Sequence, residues 1–238
     1  MVALNEALDD LGKLRVRNNT SNVDFCIPPA EARTYIDAFA ASMSTIVVPE
    51  IFGSSLDFNL LLALPDVIDS PYIHIDPGVH VMYYNAMYYG LQHVHGSGDP
   101  RTHQAYMKVL ELVPTWLGSA TDTRVDGLTA ALTSWTAINN QDFQLSWKFH
   151  CKSCQYIKLR GVDQLDTVPA KTLEEENQKE TLRYLYWHIL STDTLFRLFF
   201  GKPTVVSVQS CLHRVNATRL SRAVSPRCSE ITTKRIIT

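Results

Sequence analysis

The densest group of chemically capable side chains is His150-Cys151-x-x-Cys154. Thiolates three residues apart can share a zinc ion, and dithiol redox centres use the same spacing. Both cysteines also fall on an apolar stripe with Phe143, Trp147 and Ile157. No second Cys/His pair stands at a zinc-finger distance, and no strand precedes the pair as in a thioredoxin-like site. The spacing therefore assigns both thiols to core packing, where cysteine acts as a small hydrophobe. Asp193 lies inside another apolar run, with Arg183 and His188 nearby on either side of Trp187. A carboxylate among aromatics needs a partner, because an unpaired buried charge is costly. Arg183, Arg197 or a loop backbone group is expected to supply it. The competing role, a catalytic acid, lacks a second catalytic group beside it.

Three further clusters carry less. His93-x-His95, with His103 near in sequence, offers imidazoles for a metal, but residues two apart on a helix point away from each other. Histidines at a helix C-terminus also complement its dipole. Gly201-Lys202-Pro203-Thr204 resembles the end of a phosphate loop, but Phe196 stands where that loop needs its first glycine, and Pro203 removes a backbone donor. No G-x-S-x-G, H-E-x-x-H or G-x-G-x-x-G occurs. The expectation is a chain that is not an enzyme, with no catalytic, cofactor-binding or metal-binding residue and no cofactor.

The elements that must position these residues read as helices. Tyr35, Ile36, Phe39 and Met43 recur at helical spacing from Pro28 to Met43. A β-branched connector broken by Pro49 and Gly53 follows, then residues 56–76, whose Pro65 and Pro71 leave room only for short helical pieces. Asp76-Pro77 and Asp99-Pro100 each pair an N-cap with proline at the first helical position. The first of these helices ends near residues 95–98; the second is expected to kink or end at Pro114. Val125, Leu128, Ala131, Leu132, Trp135 and Ile138 mark a third helix. Phe143 to Ile157 mark a fourth, closed by Gly161, and the polar link at residues 139–142 predicts an antiparallel pair. After Pro169, Leu173 starts a long helix whose three opening glutamates suit the positive end of the dipole. Its stripe is Leu182, Leu185, Tyr186, Ile189, Phe196 and Phe199, and Gly201 and Pro203 stop it. No segment alternates with period two. The fold class is all-α, an irregular array of antiparallel helix pairs with a disordered basic C-terminal tail.

The 238 residues hold 22 Lys and Arg against 24 Asp and Glu. This near balance argues against a whole-chain nucleic-acid binder. The charge is uneven, for residues 207–238 hold six cations and one acid while the rest is net acidic. The tail is rich in Ser and Thr and poor in large apolar residues, so low order is expected there. The N-terminus has acids where a secretory leader needs cations, and no apolar run approaches a membrane span. An intracellular chain is expected, its five cysteines reduced.

Residues 174–203 read EEENQKETLRYLYWHILSTDTLFRLFFGKP. This segment resembles the middle homology region of fungal zinc-cluster transcription factors, the fungal-specific transcription factor domain. In that family an acidic stretch precedes an Arg-rich helix entry, a Trp or Phe-Trp, an Asp and an apolar run ending in Gly-(Arg/Lys)-Pro. Arg183, Trp187, Asp193, Gly201, Lys202 and Pro203 match those positions. Residues 35–52 look like the family's early helix and connector, residues 75–91 like its aromatic helix ending in Gly-Leu, and residues 125–159 like its central hairpin. The resemblance covers about residues 27–206.

It implies three parts: an N-terminal segment (1–26), a partial helical regulatory domain (27–206) and a basic low-order tail (207–238). It implies a nuclear protein that modulates transcription by contacts with other subunits or domains of the transcription machinery or by binding a small apolar effector. It would touch DNA only indirectly, or through the family's six-cysteine module, which is expected to be missing here, as are the helices that follow Gly-Lys-Pro. An error in the gene's boundaries, with a frame shift after about Val206, would explain the tail. Tyr83, Tyr84, Tyr88, Trp135, Trp147 and Trp187 are the aromatics able to line an effector groove, although such a stripe is also ordinary core. The alternatives are a small helical enzyme using His and Cys side chains, or a non-functional truncated fragment.

Overall fold

The computed structural model describes residues 25–46 and 57–206. The N-terminal segment before residue 25, the Pro49–Gly53 connector and the basic tail lie outside the described residues. Seven α-helices occur among the described residues, with no strand: α1 Pro29–Ile46, α2 Phe58–Ala63, α3 Pro77–His95, α4 Pro100–Ser119, α5 Arg124–Asn139, α6 Phe143–Leu159 and α7 Leu173–Phe200. Two 3-10 turns, Leu64–Asp66 and Val162–Thr167, follow α2 and α6. The described part is thus all-α, and none of its helices is long and apolar enough to cross a membrane.

Local chemistry sets the boundaries. Asp76 caps α3 by accepting from the backbone N–H of Gly78 (2.8 Å) and Val79 (3.3 Å). Asp99 caps α4 through Arg101 N–H (2.8 Å), and each helix takes proline in its first turn. Thr123 and Asp126 form a reciprocal capping box on α5. Thr172 caps α7, and Gly201 ends it in the left-handed conformation at φ 60°. Pro114 does not end α4, which continues to Ser119. Trp116, two residues on, is completely buried, and its indole N–H donates to Asp126 Oδ1 at 2.7 Å. That anchored indole and the apolar face it completes outweigh the hydrogen bond that proline forfeits.

Helix α3 is the hub. Residues 81–91 are buried without a break, because α1, α4 and α5 all pack against it. Three aromatics considered as groove lining, Tyr83, Tyr84 and Tyr88, are therefore core. At Gly90 the backbones of α1 and α3 meet so closely that a Cβ would stand 2.0 Å from the Tyr35 carbonyl oxygen. Between α3 and α5, Asn85 donates to Thr133 Oγ1 (2.9 Å) and accepts from Thr136 Oγ1 (2.6 Å) in a fully buried polar network.

The expected antiparallel pair is α5 with α6. Its interface is built on small residues. A Cβ at Gly127 would meet the Tyr156 ring at 2.5 Å, and Ser134 donates to the Ser146 carbonyl at 2.9 Å. The buried face of α6 is consequently rotated from the expected stripe. Phe143 is exposed and Cys151 half-buried, while Ser146, Phe149, His150, Ser153, Cys154, Tyr156 and Ile157 point inward. Helix α7 packs on α6 and buries Leu185, Tyr186, Ile189 and Phe196, but Phe199, assigned to its stripe, is 75% exposed, beside Leu198 at 76%.

Candidate functional site

Where α6 crosses α7, three polar side chains meet inside the protein. His150 and Cys154 sit one turn apart on α6, and Asp193 comes from α7. The side chains of His150 and Asp193 are each 1% exposed, and Cys154 is not exposed at all. His150 Nε2 lies 3.0 Å from Asp193 Oδ1 and 3.3 Å from Cys154 Sγ. A carboxylate can only accept, so Nε2 carries the proton of that bond. Asp193 Oδ1 accepts a second hydrogen bond, from the backbone N–H of Val205 at 3.2 Å. The Phe196 ring covers the imidazole at 5.1 Å between centroids, and Trp147 stands 5.5 Å from it.

The Gly-Lys-Pro segment makes this possible. Gly201 turns the chain after α7, and the N–H groups of Gly201 and Lys202 both return to the Phe196 carbonyl. The Lys202 ammonium then lies over the Trp147 ring, 5.7 Å from its centroid. Two residues beyond Pro203 the chain is placed to donate from Val205 to Asp193, and Val206 is buried. The loop backbone named as a possible partner of Asp193 is therefore one of its two partners.

Arg183 is not. It bonds Asp166 (2.6 and 2.9 Å) and Glu176 (2.9 Å), which raises its pKa still further, chiefly through Asp166. The His150 partner was not expected. The Cys-x-x-Cys spacing draws attention to the wrong pair; the useful signal is His150 with Cys154, four apart on one helix face, facing the only acid inside the apolar run of α7.

Electrostatics limit what the cluster can do. Burial lowers the His150 pKa, with Asp193 pulling the other way. Burial, then the Asp193 carboxylate, raise the Cys154 thiol pKa far above neutrality, and the same two causes push Cys151 up to about 11. His188, against the Trp135 ring at 6.1 Å, is pushed down to about 4 by burial and then by His150. A nucleophilic relay places nucleophile and carboxylate on opposite ring nitrogens. Here both approach Nε2, and Nδ1 is 4.0 Å from the sulfur. The thiol is thus neither ionised nor served by a base.

The other histidines fall elsewhere. His93 and His95 are exposed in the last turn of α3, as the dipole reasoning expects. His95 Nε2 lies 3.0 Å from the Tyr35 hydroxyl, and that hydroxyl also joins Glu31 (2.5 Å) and Arg101 (3.2 Å). His103 is exposed on α4 and tilts toward the Tyr106 ring. Trp187, at 39% exposure, faces outward, so the aromatics weighed as groove lining do not share one surface. No family profile, curated protein or solved structure matches the chain.

Proposed function

We propose that this chain is a regulatory helical domain of the fungal zinc-cluster transcription factor kind, acting in the nucleus through protein contacts. The observation that supports this reading is the interlocking of three of the residues on which the resemblance rests. Asp193, Gly201 and Lys202 hold the end of α7 and the following segment against α6. That is the behaviour expected of a motif maintained to shape a domain. The surface beside it suits a partner, for Leu198, Phe199 and Phe143 are exposed apolar side chains, and the Phe143 and Phe200 rings lie 4.7 Å apart. Exposed apolar groups close together favour protein contact. The alternative, an enzyme using His and Cys, draws little support from a protonated thiol sealed in the interior.

The test is a transcriptional one. The full chain is fused to an unrelated sequence-specific DNA-binding domain and read on a reporter carrying its operator. A severalfold change in reporter output is expected, reduced by the double substitution Leu198→Asp with Phe199→Asp. A fusion that is folded and present in the nucleus, yet behaves like the DNA-binding domain alone, refutes the proposal.

A further inference from the structure

His150, Cys154 and Asp193 each turn one ligand atom toward the others, and these atoms all lie within 4.8 Å of one another in a fully buried setting. We propose that the cluster is a metal site that takes one zinc ion, or a divalent ion of similar softness, as a clamp between α6 and α7. The inference is independent of any transcriptional role.

The donor set is the first support. Imidazole nitrogen, thiolate sulfur and carboxylate oxygen are the three ligand types zinc uses, and no soft-only or oxygen-only ion prefers the mixture. The arrangement is the second. His150 and Cys154, four apart on α6, occupy one face a turn apart. The imidazole edge is aimed between the sulfur and the carboxylate, 3.3 and 3.0 Å away. A tetrahedral ion with bonds of about 2.0 to 2.3 Å keeps its ligand atoms about 3.3 to 3.6 Å apart. Entry of the ion therefore asks the imidazole nitrogen to separate only slightly from the sulfur and the carboxylate oxygen.

Charge is the third support. A doubly positive ion is matched by one thiolate and one carboxylate beside a neutral imidazole, giving a site with no net charge in a place where net charge is costly. Binding converts the Cys154 thiol to thiolate and releases one proton, while the imidazole moves its proton to Nδ1 and keeps it. The Val205 N–H on Asp193 Oδ1 is the outer hydrogen bond that orients a ligating carboxylate.

The probes are zinc by elemental analysis of the purified full chain, and cobalt(II) added to the metal-stripped chain. About one equivalent of zinc is expected, and cobalt should give tetrahedral visible bands with a thiolate-to-metal band in the near ultraviolet. Cys151→Ala should leave these unchanged. Cys154→Ala should abolish the thiolate band and weaken binding on the order of a hundredfold or more. A folded native chain that takes up neither ion overturns the proposal, as does a thiolate band that survives Cys154→Ala and disappears with Cys151→Ala. If Cys154→Ala loses its helical signal, Asp193→Asn decides. Weakened cobalt binding that retains the thiolate band supports the site, and unaltered affinity overturns it.

Discussion

Replacing Asp193 by alanine removes one oxygen that serves two donors, the His150 imidazole at 3.0 Å and the Val205 amide at 3.2 Å. Both donors are then left inside the protein, where water cannot replace the lost acceptor. Hydrogen bonds to an ionised acceptor contribute about 1.5 to 3 kcal/mol each, and relief of the carboxylate's own burial offsets part of the loss. A net destabilisation of about 3 kcal/mol is expected for Asp193→Ala. Asp193→Asn keeps an oxygen at the Oδ1 position and loses only the charge, so it should cost about 1 kcal/mol. In a domain of this size those losses lower the thermal midpoint by roughly 6 to 12 °C and 2 to 4 °C. Urea unfolding of the metal-free chain, followed by tryptophan fluorescence, reads both. Trp147 stands against the His150 ring, so it reports the site directly. Equal losses for Asn and Ala, or an Ala loss below about 1 kcal/mol, would show that the shared oxygen does not tether α6 to the segment after α7.

Two further outcomes are expected. Gly90→Ala should destabilise by about 3 kcal/mol or more, since its Cβ would meet backbone 2.0 Å away. Gly118→Ala, at a helical position with nothing within 4 Å, should stabilise by about 0.5 to 1 kcal/mol; parallel thermal melts compare the pair, and equal shifts would refute the close approach. Stability of the metal-free chain should fall as pH is lowered. His188 stays neutral when folded down to about pH 4, whereas the unfolded chain takes up that proton near pH 6.5. Its contribution is complete above pH 6.5 and declines toward pH 4, by about 3 kcal/mol. His150, lowered for the same reason, adds in the same direction. Urea midpoints that do not change between pH 7 and 4.5 would contradict the burial of both imidazoles.

The helices were legible because their ends carry local chemistry. Asp76-Pro77, Asp99-Pro100 and Gly201 act within one turn of themselves, and the structure places helix boundaries at each. Pro114 misleads as a helix terminator because its local penalty is overruled by Trp116, whose partner Asp126 sits on the next helix. The face of α6 misleads for a related reason. Apolarity counted along one helix favours Phe143 and Cys151, but the small residues of α5, Gly127 and Ser134, draw Ser146 and Tyr156 inward instead. The His150–Asp193 meeting spans two helices and a turn, so no spacing within either segment encodes it. What the sequence does show is that each residue, alone, interrupts an apolar run and needs a partner.

The buried Asn85–Thr133–Thr136 network has a mechanical consequence. Asn85 acts as a pin. Shifting α3 by a turn against α5 would break both inter-helix bonds and leave the Asn85 side-chain oxygen without its donor, while the threonine hydroxyls keep the Thr129 and Leu132 carbonyls of their own helix. The inner helices are thereby fixed in one register. Any motion that a bound partner provokes is steered outward to α7, whose first twelve residues hold no fully buried side chain and touch the core only through the partly buried Leu182 and Tyr184.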